Sequence, residues 1–293
     1  MRSISAIIIA AFISGSIYAL VAVGFAISFR VSRVFNLAHG ALLVGASYAT
    51  FWLQERLGFP VPAAAAVAIL SILVASTTIE AAVIPAAKAA GLASVDLLVL
   101  SWLVLIVAQD ALAIVFDNQS IYLGAAHVRP GSVIFGARVT PAQIYIIGVS
   151  AVVAISLFVF MRWSWNGRAI VAVGDSPWLA RAYGLNVRRI TTQNALIGAG
   201  ATACGGVLLV YQERVDPTLA FRFSVIGIVS TLIGIRLGPG GAVIGAYVIA
   251  LLETVVLYLI DPRLRDSAVY ICLMLVILYS ARGDTRFPWW RRP

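Results

Sequence analysis

The chain has 293 residues, is 61% hydrophobic and 11% charged, and carries a formal net charge of +9 with a mean hydropathy of +0.99. Soluble domains are about 45–50% apolar and about 25% charged, and a soluble protein of this length has too little interior to hide so much apolar surface. An ordinary soluble domain is therefore excluded, and the arginines, lying between apolar runs, report topology and lipid contact rather than nucleic acid.

The first segment, "MRSISAIIIAAFISG", imitates a signal peptide, but its apolar run continues to Phe29. A cleaved signal has a shorter core, so a retained first span is expected. A spanning helix needs about 20 mostly apolar residues. That rule predicts spans at 4–29, 36–53, 61–86, 95–116, 143–161, 190–211, 223–236, 241–260 and 267–280. The seventh is short, as a broken or re-entrant segment lining a cavity would be. The expectation is a single all-α polytopic transmembrane domain over 1–293, with eight or nine transmembrane helices, a cytoplasmic loop at 162–189 and a tail at 281–293.

Placing the 162–189 loop in the cytoplasm puts Arg30, Arg33, Lys88, Arg162, Arg168, Arg181, Arg188, Arg189, Arg236 and the tail arginines on that side. Arg2, Arg56, Arg129, Arg138, Arg214, Arg222, Arg263 and Arg265 fall outside. The excess of positive charge inside fits the charge rule for short loops. It predicts a cytoplasmic C-terminus, where Trp289 and Trp290 beside arginines suit a headgroup-level anchor. The long outer connection Asp117–Thr140 holds "GSVIFGARVT", whose alternation predicts a short hairpin after the Pro130-Gly131 turn.

Small residues crowd "ISGSIYALVAVG", "GAGATACGG" and "GPGGAVIGAY", a composition that lets helix backbones approach closely in lipid. Cys204 and Cys272 lie in apolar runs and read as small hydrophobes. His39 and His127 do not pair at metal-ligand spacing, so no metal site is expected. A phosphate-binding GxxxxGK[ST] loop needs a lysine before Ser or Thr, and the only lysine, Lys88, precedes Ala89. No catalytic triad or HExxH pattern is present, so no catalytic residue is assigned.

Charges inside spans are the better functional clues, because burying them in lipid is expensive and they face a bundle interior or a wet cavity. Glu80 and Asp96 fall toward the cytoplasmic ends of their spans, where an interfacial or structural role competes, whereas Asp110 and Glu253 lie deeper. In "FNLAHGALLVG", Asn36 can cap the following helix. If that helix starts within the membrane, its N-terminal N–H groups would favour a substrate carboxylate. Asn36, His39, Gly40, Asp110 and Glu253 are the candidate pathway residues, with ordinary capping and packing as the competing explanation.

The polar island "GDSPWLARAYGLN" carries its own helix signals. Asp175 or Ser176 suits the N-cap, Pro177 the first turn and Gly184 the C′ position. A helix of about two turns is unstable alone in water, so something must hold it. It presents Trp178, Leu179, Ala182, Tyr183 and Leu185, either to a groove in a soluble partner or to the membrane surface.

Three stretches in order resemble the permeases of the branched-chain amino acid ABC transporter family, LivH type. They are "SGSIYALVAVGFAISFRVSRVFNLAHGALLVGASY", "RWSWNGRAIVAVGDSPWLARAYGLNVRRI" and "GIVSTLIGIRLGPGGAVIGAYVIALLET". The resemblance implies a bacterial inner-membrane importer subunit that pairs with a second, related permease chain. Two cytoplasmic ABC ATPases would hold the ATP and Mg, this chain none, and a periplasmic binding protein would deliver substrate. Residues 174–189 would form the coupling helix, with Asp175, Pro177, Trp178, Leu179, Ala182, Tyr183, Gly184 and Leu185 meeting an ATPase. The chain departs from the family pattern at Ala41, at "EAAVIPAAK" and at Arg236 and Pro239. The implied substrate class is accordingly branched-chain amino acids or related small polar or carboxylate solutes. A secondary transporter or channel without an ATPase, or an interaction subunit with no pathway, are the competing classes.

Overall fold

In the computed structural model, residues 4–89, 91, 93–124, 131–134 and 137–281 are described. Their helices are α1 (Ile4–Ser32), α2 (Ala38–Glu55), α3 (Val61–Ala89), α4 (Ser94–Val115), α5 (Pro141–Trp163), α6 (Trp165–Asp175), α7 (Pro177–Ala182), α8 (Val187–Gln212), α9 (Leu219–Ile233), α10 (Pro239–Leu259) and α11 (Arg265–Ala281). Between α4 and α5, β1 (Ser132–Ile134) and β2 (Ala137–Val139) pair antiparallel with Val133 opposite Arg138, the hairpin expected from the alternation. His127, Lys88's side chain and the tail beyond Ala281 lie outside what is described.

A helix forms at each of the nine expected spans. Among the described residues, six helices are long and apolar enough to cross a membrane: Ile4–Ser32, Val61–Ile79, Val95–Val115, Pro141–Trp163, Val187–Gln212 and Pro239–Leu259. Two boundaries differ instructively from the sequence expectation. Helix α9 starts at Leu219 rather than Phe223, because Arg222 is not a loop charge but is buried in the bundle. It stops at Ile233, where Gly234 and a 3-10 turn over Ile235–Leu237 lead to Gly238 at φ +66° and to Pro239 in the first turn of α10. The loop 162–189 holds two helices rather than one. Helix α6 buries Gly167, Ala169, Ile170, Val173 and Gly174 on one face, the spacing of an amphipathic surface helix.

Helix α1 is the centre of the bundle, buried nearly without interruption from Gly15 to Phe29 and packed against α10, α8, α9 and α5. The small residues allow this. A Cβ on Gly24 would overlap Thr202 and the Gly198 carbonyl, and one on Gly206 would overlap the Leu43 carbonyl. Alanines continue the seam, with Ala46, Ala64, Ala68, Ala199 and Ala203 joining α2, α3 and α8 in a second core. At the other extreme, only 6% of the α4 window and 17% of the α5 window are buried within the chain. Helices apolar all round and left uncovered belong in lipid or against another membrane chain.

The turn between α9 and α10 is closed by Gly234 against the backbone of Gly241. Gly234→Ala is expected to destabilise the protein by about 1–3 kcal/mol, the usual cost of overpacking, read as a lower thermal midpoint in detergent. Gly148→Ala, where nothing lies within 4 Å of the added methyl, is the matched control and should not lower it.

Candidate functional site

The segment 164–186 is held by a sequence of caps. Ser164 accepts from Gly167 N at 2.8 Å to start α6. Ser176 ends α6 and starts α7, its Oγ accepting from Leu179 N at 3.3 Å. Ser176 is thus the N-cap, and Asp175, the other residue considered for that role, is the last residue of α6. Helix α7 is six residues long, shorter than the two turns expected. Gly184 at φ +80° closes it: Gly184 N donates to Arg181 O and Leu185 N to Ala180 O, each at 3.0 Å. That is the Schellman arrangement, which needs a left-handed residue at Gly184.

Packing decides which face remains free. Ala180 is buried with Met161, Ala169, Ile170, Val173 and Ile190, and Leu185 packs against the same cluster. Trp178 is 76% exposed, Leu179 47% and Tyr183 80%, and Ala182 is exposed too. Pro177 occupies the first turn. Three large apolar side chains are therefore presented on a short helix whose back is anchored in the bundle.

The α1–α2 region gathers three of the candidate pathway residues. Asn36 Oδ1 accepts from Ala38 N at 3.0 Å, so it does cap the first turn of α2, although Leu37 holds the formal cap position. Leu37 N is taken by Ser101 Oγ at 3.1 Å and its carbonyl by Ser224 Oγ at 2.7 Å. His39 is 2% exposed. Its Nε2 lies 2.9 Å from Ser28 Oγ, its ring tilts against Phe25 at 5.0 Å, and its Nδ1 has no partner among the described residues. Asn194 Oδ1 is likewise buried and unpartnered, while Asn194 Nδ2 donates to Ile27 O at 3.0 Å. Gly40 meets Ala220 and Ser224 of α9, where a Cβ would overlap both.

Asp110 and Glu253 are not part of this group. Asp110 is exposed on α4. Glu253 is 2% exposed and sits in an ionic network that loop-by-loop reading of the sequence missed. Tyr18 donates to Glu253 Oε2. Arg222 Nη2 donates to Glu253 Oε1 at 3.0 Å and to the Tyr18 hydroxyl at 3.2 Å. Arg265 Nη2 donates to the same hydroxyl at 3.1 Å, and its Nη1 bonds Glu213 Oε2 at 3.1 Å. Arg222 Nε lies 2.9 Å from Asp266 Oδ1, an ion pair without hydrogen-bond alignment. The tyrosine hydroxyl thereby uses its one donor and both lone pairs. Residues from α1, α9, α10, α11 and the α8–α9 loop meet at one point, at the far end of α8 from α7. No group of three or more potential metal ligands occurs among the described residues. A cleft between the ends of α2 and α4, lined by Phe51, Trp52, Arg56, Asp117 and their neighbours, contains none of the predicted pathway residues.

The family described as "Branched-chain amino acid transport system / permease component" matches residues 7–278. The chain belongs to that permease family. It is 25% identical over 285 residues to the high-affinity branched-chain amino acid transport system permease protein LivH of Salmonella typhimurium, covering 92% of this chain and 91% of that one. Identity is also 25% to LivH of Escherichia coli over 290 residues and to the permease protein BraD of Pseudomonas aeruginosa over 295, with the same coverage. Among solved structures, PsaBC from Streptococcus pneumoniae in complex with Fab has the same fold. Its TM-score is 0.52 at 15% identity, covering 92% of this chain and 89% of that chain. The permease family and the apolar helices together make this a multi-pass membrane protein.

Proposed function

We propose that this chain is one permease subunit of the membrane-spanning part of an ABC importer, carrying branched-chain amino acids or related small polar or carboxylate solutes across the bacterial inner membrane. The observation that supports it most is α7, whose exposed Trp178, Leu179 and Tyr183 stand on a helix capped at both ends and anchored behind. Nine crossings, with α6–α7 and the C-terminus in the cytoplasm, satisfy the distribution of arginines. A second, related permease chain covers part of the lipid-exposed surface. Two ATPases bind ATP and Mg and receive α7 of each permease. A periplasmic binding protein presents the substrate at the opposite end. ATPase closure moves α7 and shifts the pair between inward-open and outward-open states.

Within this reading, the polar group of Asn36 and the buried His39 and Asn194 lines the pathway, because His39 Nδ1 and Asn194 Oδ1 lack partners among the described residues and unpaired buried polar atoms are costly unless something else satisfies them. His39→Ala is expected to change uptake kinetics about tenfold, the effect of one hydrogen bond of about 1.4 kcal/mol, while the complex still assembles. Unchanged kinetics would remove His39 from the pathway. The reading as a whole is tested by uptake of labelled leucine, isoleucine, valine, urea and short amides into proteoliposomes holding the complex purified through this chain. ATP-dependent accumulation supports it. Uptake driven by an ion gradient through this chain alone would establish the secondary transporter instead.

A further inference from the structure

Only Ser176 separates α6 from α7, and it caps both. Any displacement of α7 therefore reaches Gly174 and Asp175 first. Both residues are gripped by the end of α1. Arg33 donates from Nη2 to the Gly174 carbonyl, one of the last carbonyls of α6 and so left without an intrahelical partner. A cation there also suits the negative end of the helix dipole. Arg30 Nη2 lies 3.4 Å from Asp175 Oδ1. The backbones touch as well, since a Cβ on Gly174 would come within 2.8 Å of the Arg30 carbonyl oxygen.

The grip continues beyond α1. Arg33 has φ +57°, a left-handed conformation that persists in a non-glycine residue only when its surroundings hold it. It begins the link to α2, and Phe35 in that link stacks on Phe29 of α1 with ring centroids 4.1 Å apart. The link ends at Asn36 and the first turn of α2. Arg30 also reaches the start of α10, its Nη1 lying 3.6 Å from where a Cβ on Gly238 would stand.

We infer that Arg33, with Arg30 beside it, is a positioning residue that makes α7 and the α1–α2 turn move as one body. The inference rests on the importer reading, in which α7 is the segment an ATPase moves. It assigns the route by which that movement reaches the polar group at His39: through a side chain bonded to a helix-end carbonyl, rather than along the link 183–186 to α8.

The test uses the complex purified through this chain, with Cys204 and Cys272 replaced by serine. Spin labels are placed at Arg181→Cys on α7 and Val34→Cys in the link. The label distance is compared between the nucleotide-free and the vanadate-trapped ATP states. With Arg33 present, the distance should be the same in both states. In Arg33→Ala it should shift by about 2 Å or broaden on trapping, the scale of helix movements in such transitions, with ATPases still bound. Arg33→Gln, too short to reach the carbonyl, should behave like Arg33→Ala and serves if the alanine variant does not fold. Arg33→Lys should restore the fixed distance. A distance that changes with nucleotide while Arg33 is present, or that stays fixed in both Arg33→Ala and Arg33→Gln with ATPases bound, overturns the inference. If no ATPase accompanies the unsubstituted chain, the importer reading itself fails, a distinct outcome.

Discussion

Trp178→Asp is expected to release the ATPase subunits from a complex that otherwise remains assembled. Trp178 is 76% exposed, lies outside the buried cluster behind α7, and projects from a helix held by Ser176 and Gly184. A tryptophan anchor at an interface is worth about 2 kcal/mol or more, so its loss alone weakens docking about 30-fold or more. A carboxylate forced into the same groove without a partner adds to that. Because the back of α7 is packed through Ala180 and not through Trp178, the thermal stability of the isolated chain should be unchanged. Co-purified ATPase and ATP hydrolysis should both fall together, while the second permease chain is retained.

Glu253→Ala should have the largest effect on stability. It removes one partner of a buried ion pair, leaving Arg222 at 6% exposure with only the partly exposed Asp266 and the Tyr18 hydroxyl. Breaking a buried pair from one side costs about 3–5 kcal/mol. For a chain of this size that lowers the thermal midpoint by on the order of 10 °C, measured in detergent by loss of a monodisperse elution peak. The double variant Arg222→Met with Glu253→Leu should recover much of the loss, since an apolar pair does not carry the desolvation penalty. A simple sum of the two single effects would show that the residues do not interact. Arg265 and Glu213 lie further out and are each 24% exposed, so their pairing is partly screened by water. Arg265→Gln should therefore cost much less than Glu253→Ala.

The contrast between these two regions also explains what was legible in the sequence. Helix α7 was readable because its signals are local: Ser176, Pro177 and Gly184 act within a few residues. Apolar runs likewise announced the long helices, and period-two alternation announced the hairpin. Helix α6 was missed because "WNGRAIVAVGD" is too short and too mixed to register as a span. Its signal was an amphipathic spacing of Ala169, Ile170 and Val173 behind a serine cap.

The ionic network was not legible, since Tyr18, Glu213, Arg222, Glu253 and Arg265 come from distant parts of the chain. Arg222 looked like one more outer-loop arginine. Its place beside Glu253 follows from the hairpin of α9 and α10, which Gly234, Gly241, Gly245 and Ser230 close by backbone contact. Glu253 illustrates the converse: its depth in an apolar span is a reason to expect a polar partner or a pathway role, and the partners, Tyr18 and Arg222, come from two other helices. Asn36, His39 and Gly40 stand out in the sequence by the polar interruption they make, and Ser28 of α1 bonds the His39 ring while Asn194 of α8 bonds the Ile27 carbonyl.

The most direct test of the account is the solvent accessibility of α7 in the assembled complex. Tyr183→Cys, in a background lacking Cys204 and Cys272, is labelled by a membrane-impermeant maleimide in nanodiscs, first with the chain free of ATPases and then with them bound. At 80% exposure, the free site should react rapidly, and ATPase binding should slow it at least about tenfold, as burial in a groove requires. Labelling that is equally fast with the ATPases bound, or already slow in the lipid disc without them, would mean that α7 is not the docking element and would contradict the account.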